Sequence, residues 1–342
     1  MLIDNVYQGG LNLIKRVGAI LLCIFLITSS LVIVFPVEAL KVNGNTLYVG
    51  GSGPGNYTKI QDAIDAANSG DTVFVYSGIF YENVVINKSI NLMGNDRNST
   101  IIDSYGGNVL TIFADFVYIS GFTIQNGEQW GIWIENSKNP IIMNNIIRNF
   151  YRGILVLSST NVNIIGNIIY GNDDTGISID YTFYSMITSN TIAENGIGIQ
   201  VFESSYNNIT GNIITKNHYC GIQHFYSSNN LIKGNTIKES QCGIAIDDGS
   251  KNIITQNNFI SNIGHAYFGH MSWWVPLIFL HKHYWNNNYW DDWKTTDPRP
   301  IKGEWYVLFG FIVGIGIGPV PYWQFDWHPA QEPYDIPIPD LP

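Results

Sequence analysis

Residues 166–200 read GNIIYGNDDTGISIDYTFYSMITSNTIAENGIGIQ, and the spacing inside them decides the fold. Asn167 and Asn190 stand 23 residues apart; Gly176 and Gly198 stand 22 apart. The pair continues in both directions. Asparagine recurs at Asn145, Asn167, Asn190, Asn212, Asn235 and Asn257. Glycine recurs at Gly131, Gly153, Gly176, Gly198, Gly221 and Gly243, always 14 residues before the next asparagine. Self-similarity at a fixed period marks a stack of near-identical units.

Isoleucine and valine fill the rest of the register. They stand one and three residues after each glycine, with His224 replacing one of them. Ile142, Ile164, Ile187, Ile209, Ile232 and Ile254 follow each glycine by eleven. Ile147, Ile169, Ile192, Ile214, Ile237 and Phe259 follow each asparagine by two. Each period therefore holds three short inward-facing β segments separated by turns. The expected fold is all-β, a three-sheet parallel β-helix, right-handed as crossovers between parallel strands are. A leucine-rich repeat is rejected, because it needs leucine inside and one β segment per turn. Asparagine suits a tight turn because it tolerates the left-handed conformation. Stacked amides also satisfy one another's buried polar atoms. A second column, Asn172, Asn195, Asn217 and Asn262 with Ser240 interrupting, lies five residues on, and Phe122 holds the ladder position before Asn145.

The 342 residues are only 13% charged, with a net charge of −10. That balance argues against a nucleic-acid partner, which calls for clustered Lys and Arg. Lys15 and Arg16 precede an uncharged run from Val17 to Val37, followed by Glu38 and Ala39. Residues 1–39 thus read as a cleaved secretion signal, or as a membrane anchor of the roughly 20 residues a span needs. Either reading puts the remainder outside the cell or at its surface. Cys220 and Cys242 each precede a repeat glycine. Stacking would set their Cα atoms about 4.8 Å apart, within disulfide range. A pair of free thiols is the alternative, since neighbouring parallel strands give a poor S–S torsion.

Residues 40–264 are expected to form the β-helix, with a helix over 58–68 covering its first end. Thr58 and Gln61 fit a capping box, and Ile60, Ala63, Ile64 and Ala67 form one apolar stripe. Residues 265–342 break the period and are dense in Trp, Tyr and Pro, which reads as a C-terminal cap.

The segment YTKIQDAIDAANSGDTVFVYSGIFYENVVINKSINLMG (Tyr57 to Gly94) resembles the opening of β-helix proteins of the pectin-lyase superfamily. The coils GNIIYGNDDTGISI and GNIITKNHYCGIQH resemble NosD-like repeats of archaeal surface proteins, and NNNYWDDW (Asn286 to Trp293) resembles the segment that closes them. The resemblance implies an envelope or extracellular protein with a carbohydrate-binding or sugar-hydrolysing domain. It also admits a polysaccharide lyase or hydrolase, or a NosD-like copper accessory protein, because fold alone does not set activity.

Positions two and four after each glycine form one outward face. Trp133, Glu135, Asp180, Phe202, Phe225 and Asp247 lie on it, a mixture of rings and acids suited to sugar. An ordinary solvated β surface is the competing reading. For catalysis, Glu135 and Asp180 would stand about 9.6 Å apart by stacking, at the outer edge of the distance of about 6.5–9.5 Å used by inverting glycosidases. Asp173, Asp174 and Asp180 share one coil, and Arg152 sits on the coil before. Acids that could hold calcium beside a basic Arg would resemble polysaccharide lyases, against plain surface charges with a weak ion pair. His265, His270, His281 and His283 are candidate copper or zinc ligands, against a role in packing the cap. His224 is expected as a neutral, hydrogen-bonded core histidine.

Overall fold

The computed structural model describes residues 44–104, 106–272, 282–308 and 316–336. The expected signal or anchor lies outside them. Among the described residues no helix is long and apolar enough to cross a membrane.

The chain is a parallel β-helix. Its first sheet stacks Trp130–Glu135, Arg152–Leu157, Thr175–Asp180, Ile197–Phe202, Cys220–Phe225 and Cys242–Asp247 in parallel register. The second sheet stacks short strands such as Ile141–Met143, Asn163–Ile165 and Met186–Thr188. The third runs in ten strands from Gly78–Tyr81 to Tyr289–Trp290. The predicted inward isoleucines of all three sheets are buried in one continuous core.

Close approach explains the glycine column. A Cβ on Gly198 would lie 2.5 Å from the Gly221 carbonyl oxygen and 2.7 Å from Ile214 Cγ2. Coil-to-coil contact reserves the position, and no left-handed φ is involved.

The asparagines form the expected ladder. Asn145 donates its backbone N–H (3.0 Å) and its amide (3.2 Å) to Oδ1 of Asn167. Asn167 repeats this onto Asn190 at 2.9 and 3.1 Å, and its amide also reaches the Ile142 carbonyl at 2.9 Å. The left-handed residue, however, is the one before each ladder asparagine. Asn144, Gly166, Ser189, Gly211, Gly234 and Gln256 have φ between 55 and 64°. One residue makes the bend and the next fills its hollow. The second column behaves alike, with Asn172 Nδ2 on Asn195 Oδ1 at 2.8 Å. Two further columns were not foreseen. Thr182, Ser204 and Ser227 link by backbone N–H to hydroxyl bonds of 2.8 and 3.0 Å. Ser185, Asn207, Asn230 and Asn252 link at 2.8, 2.8 and 2.9 Å.

The first helix is shorter than expected, Ile60–Ala66, and its N-cap is Lys59 with no side-chain cap bond. The capping box of Thr58 and Gln61 is not formed. The next coil supplies both caps instead. Glu82 accepts the N–H groups of Ile60 (2.8 Å) and Gln61 (3.0 Å). Lys88 Nζ donates to the carbonyls of Ile64, Asp65 and Ala67 at 3.0, 2.7 and 2.8 Å. An anion at the N-terminus and a cation at the C-terminus also match the helix dipole. Ile60, Ala63 and Ile64 join the common core.

The period fails after Gly264, but the stack does not. Gly264–Ser272, Tyr284–Asn286 and Tyr289–Trp290 each add a parallel strand to one of the three sheets. The ladder steps from Asn257 to Asn288, 31 residues on. The boundary expected between residues 264 and 265 therefore falls inside the stack. Arg299–Leu308 and Gly316–Asp326 then form an antiparallel hairpin that touches the first sheet through Gly264–Ser272 and the second through Trp285. Trp290 is fully buried, stacked on Phe259 at 4.3 Å, with the Arg299 guanidinium 4.2 Å from its ring centre.

Candidate functional site

Strand alternation places the predicted strip on the outside of the first sheet. Glu135, Leu157, Asp180, Phe202, Phe225 and Asp247 are successive register partners, one per coil. Trp133 lies in the adjacent column, edge-on to Phe113 at 5.8 Å and 5.1 Å from Trp130. Turn residues widen the strip. Tyr181 and Tyr226 flank Phe202 edge-on at 5.7 and 6.1 Å. Tyr184 and Tyr206 stack face to face at 5.3 Å and are 62% and 51% exposed. This tyrosine pair was missed in the sequence, although its 22-residue spacing is the period itself.

The catalytic candidates are brought onto this face but not into contact. Leu157 stands between Glu135 and Asp180 in the register. Burial pushes the Asp180 carboxyl above the usual range, opposed by a 2.8 Å bond from Ser178 Oγ and by the charge of Arg152. Burial, then the charge of Asp248, raises Asp247 as well, opposed by His270. Arg152 is committed to Asp174, Nε to Oδ2 at 2.7 Å, with both side chains about a quarter exposed.

Cys220 and Cys242 are register partners, and both are free thiols. The disulfide is not formed. Stacked side chains on parallel strands project the same way, which does not give the near-perpendicular S–S torsion. The hydrogen bond to Cys242 and burial push the Cys220 thiol up. His224 is fully buried, and neither ring nitrogen has a hydrogen-bond partner. It is a neutral core residue but not the hydrogen-bonded one expected, and burial lowers its pKa to about 3.

The cap histidines end the polar ladders. The Asn262 amide lies 3.3 Å from His265 Nδ1, and the Asn252 amide 3.3 Å from His283 Nδ1. An amide donor assigns Nδ1 as acceptor, so each neutral ring carries its proton on Nε2. His265 Nε2 then donates to Asp291 at 2.8 Å. Burial holds His265 below the ordinary histidine range despite Asp292 and Asp291 nearby. His270 and His283 stack face to face at 5.7 Å. His281 lies outside the described residues.

This is the architecture of a β-helix whose coils display one repeated outer face. The chain belongs to the family described as periplasmic copper-binding protein (NosD), which it matches over residues 64–232 and 203–295. It is also 38% identical over 99 residues to a cell surface glycoprotein of Methanothermus fervidus, covering 28% of this chain and only 16% of that relative's length. Among solved structures, it resembles ORF18 of Geobacillus virus E2 at 14% identity and a TM-score of 0.55, covering 77% of this chain and 59% of that one. The mannuronan C-5 epimerase AlgE4 A-module of Azotobacter vinelandii gives 14% and 0.51, covering 61% and 76%. At such identities the structures share the fold alone.

The one clustered donor set among the described residues does not fit copper. Among the described residues, the one group of three metal-type ligands within reach of each other is His265, Asp291 and Asp292. It offers a single imidazole and no sulfur, where copper favours nitrogen and sulfur. Its oxygens are also taken: Arg299 holds both oxygens of Asp292 at 2.7 and 2.8 Å, and the Ser261 N–H holds Asp291 Oδ2 at 2.7 Å.

Proposed function

We propose that this chain acts outside the cytoplasm, at the cell surface, as a β-helix module that binds glycan or builds the envelope without catalysis. The observation that carries this reading is the ribbon of exposed Tyr181, Tyr226, Tyr184 and Tyr206, with half-buried Phe202, on successive coils. Rings with polar tips suit the apolar faces and hydroxyls of sugars, and a repeating surface suits a repeating polymer. The family's periplasmic description and the surface glycoprotein relative support the location. Release by cleavage of the N-terminal segment, or retention by it, belongs to the same proposal.

A second reading, a polysaccharide lyase or hydrolase, draws support from the raised Asp180 carboxyl. It is the weaker one, since Leu157 separates Asp180 from Glu135 and Arg152 is tied to Asp174. A glycan array run with a product assay on the same panel separates the two. Binding without turnover is expected. New reducing ends or unsaturated products, lost on Asp180→Asn, would establish the enzyme instead.

A further inference from the structure

We propose that the last coil carries a separate sugar site, a groove of about 500 Å³ shaped for a carboxylate-bearing pyranose. This deepens the surface-glycan reading above and rests on it.

The groove is built by strand alternation. In the strand ending at Asp326, Gln324 and Asp326 face inward and are 5% and 0% exposed. Gln324 Oε1 accepts the His283 N–H and Trp285 Nε1 at 3.2 and 3.0 Å. Asp326 Oδ2 accepts the N–H and amide of Asn288 and Trp290 Nε1. These bonds fix the strand's facing, so Trp323, Phe325 and Trp327 turn outward. They are 48%, 37% and 58% exposed, with Phe325 and Trp327 centred 5.5 Å apart. On the neighbouring strand Trp285 points in and Tyr284 out. A held row of exposed aromatic faces is a preformed platform, which limits the ordering cost of binding.

The polar groups at the groove set its chemistry. Lys282 Nζ lies 5.9 Å from the Tyr284 ring centre. His328 Nδ1 lies 2.9 Å from Asn286 Oδ1, which assigns its proton to Nδ1 and leaves Nε2 for a ligand. The chain carries a net charge of −10, yet among the described residues Lys282 lines the groove beside the rings of His283 and His328, and no carboxylate does. Asp326, in the strand that forms one wall, is fully buried. Aromatic faces with a cation and no exposed anion complement a sugar ring that bears a carboxylate.

The test is calorimetric titration of the full chain with a galacturonate hexamer and, in parallel, the neutral maltohexaose. Trp323→Ala and Trp327→Ala should each weaken hexauronate binding about tenfold. Lys282→Met should weaken the acidic ligand and remove the preference over the neutral one. The control Tyr219→Ala, an exposed ring outside both the groove and the strip, should leave hexauronate binding unchanged. Circular dichroism melts verify that each variant folds. Groove variants that bind like the wild type, or a loss in Tyr219→Ala as large as theirs, overturn the groove while the broader glycan reading stands. Equal affinity for both hexamers overturns its charge selectivity. A wild type that binds nothing on the array overturns both.

Discussion

Asn288 ends on Asp326: its backbone N–H and its side-chain amide both meet Oδ2, each at 3.0 Å. The rungs from Asn145 to Asn257 meet another asparagine instead. Replacing Asp326 by alanine strands these donors and the indole N–H of Trp290 in a fully buried place. The expected cost is about 3 kcal/mol or more. Asp326→Asn keeps one acceptor oxygen and should cost clearly less. Urea melts of the two variants decide this, and equal losses would count against Oδ2 as the anchor.

His224 makes the chain acid-sensitive. The unfolded chain protonates this ring near 6.5, whereas the folded core resists until about 3. The unfolded state therefore binds more protons in that window, and stability falls as pH drops from 6.5 to 3, by up to about 1.4 kcal/mol per pH unit. His224→Ile, the residue most coils carry there, should flatten this slope. It should also stabilise the chain at pH 7 by about 1–3 kcal/mol, because it removes an unpaired buried polar ring. Thermal melts at several pH values test both parts; a variant with the wild-type slope would refute the assignment.

The two glycine classes should answer differently to substitution. Gly198→Ala forces a methyl against the Gly221 carbonyl and Ile214, with an expected loss of about 1–3 kcal/mol. Gly166, with φ of 64° and open space around its Cβ position, should accept asparagine almost without cost. Chemical denaturation of both variants checks the contrast.

Lys88 holds three carbonyls at the end of the first helix. Lys88→Met should cost about 1–2 kcal/mol, at the lower end for charged hydrogen bonds because the group is half-exposed. Hydrogen exchange should quicken over residues 60–67 and stay unchanged in the middle coils. Uniform quickening would contradict a local clamp.

Copper should not stay at the His265 cluster. Protein dialysed after copper loading is expected to show the same metal content for the wild type and His265→Ala by atomic absorption. One equivalent retained by the wild type alone would reverse the conclusion drawn from the Asp291 and Asp292 contacts.

Much of the fold was legible because the period repeats enough times for Asn145 to Asn257 and Gly131 to Gly243 to align without a structure. The outward strip followed from the same register. The Asn288 rung did not, because the long strand after Gly264 stretches the last step to 31 residues. The helix caps were also illegible. Glu82 and Lys88 reach the helix through space from the next coil, and local sequence offered only the unused Thr58 and Gln61. Spacing gave the residue type of His265 and His283 but not that an amide reaches Nδ1 of each.

The asparagine columns point one way. Their donors face the C-terminal end, and the columns finish on Asp326, His265 and His283, whose facing atoms accept. A further coil bringing its own amide oxygen to Asp326 would meet a carboxylate with no amide hydrogen to offer. The same holds for the end of a second molecule. A solenoid otherwise free to lengthen, or to stack end to end into a filament, thus carries a terminator at its growing end, written in the change of a single side chain from amide to acid.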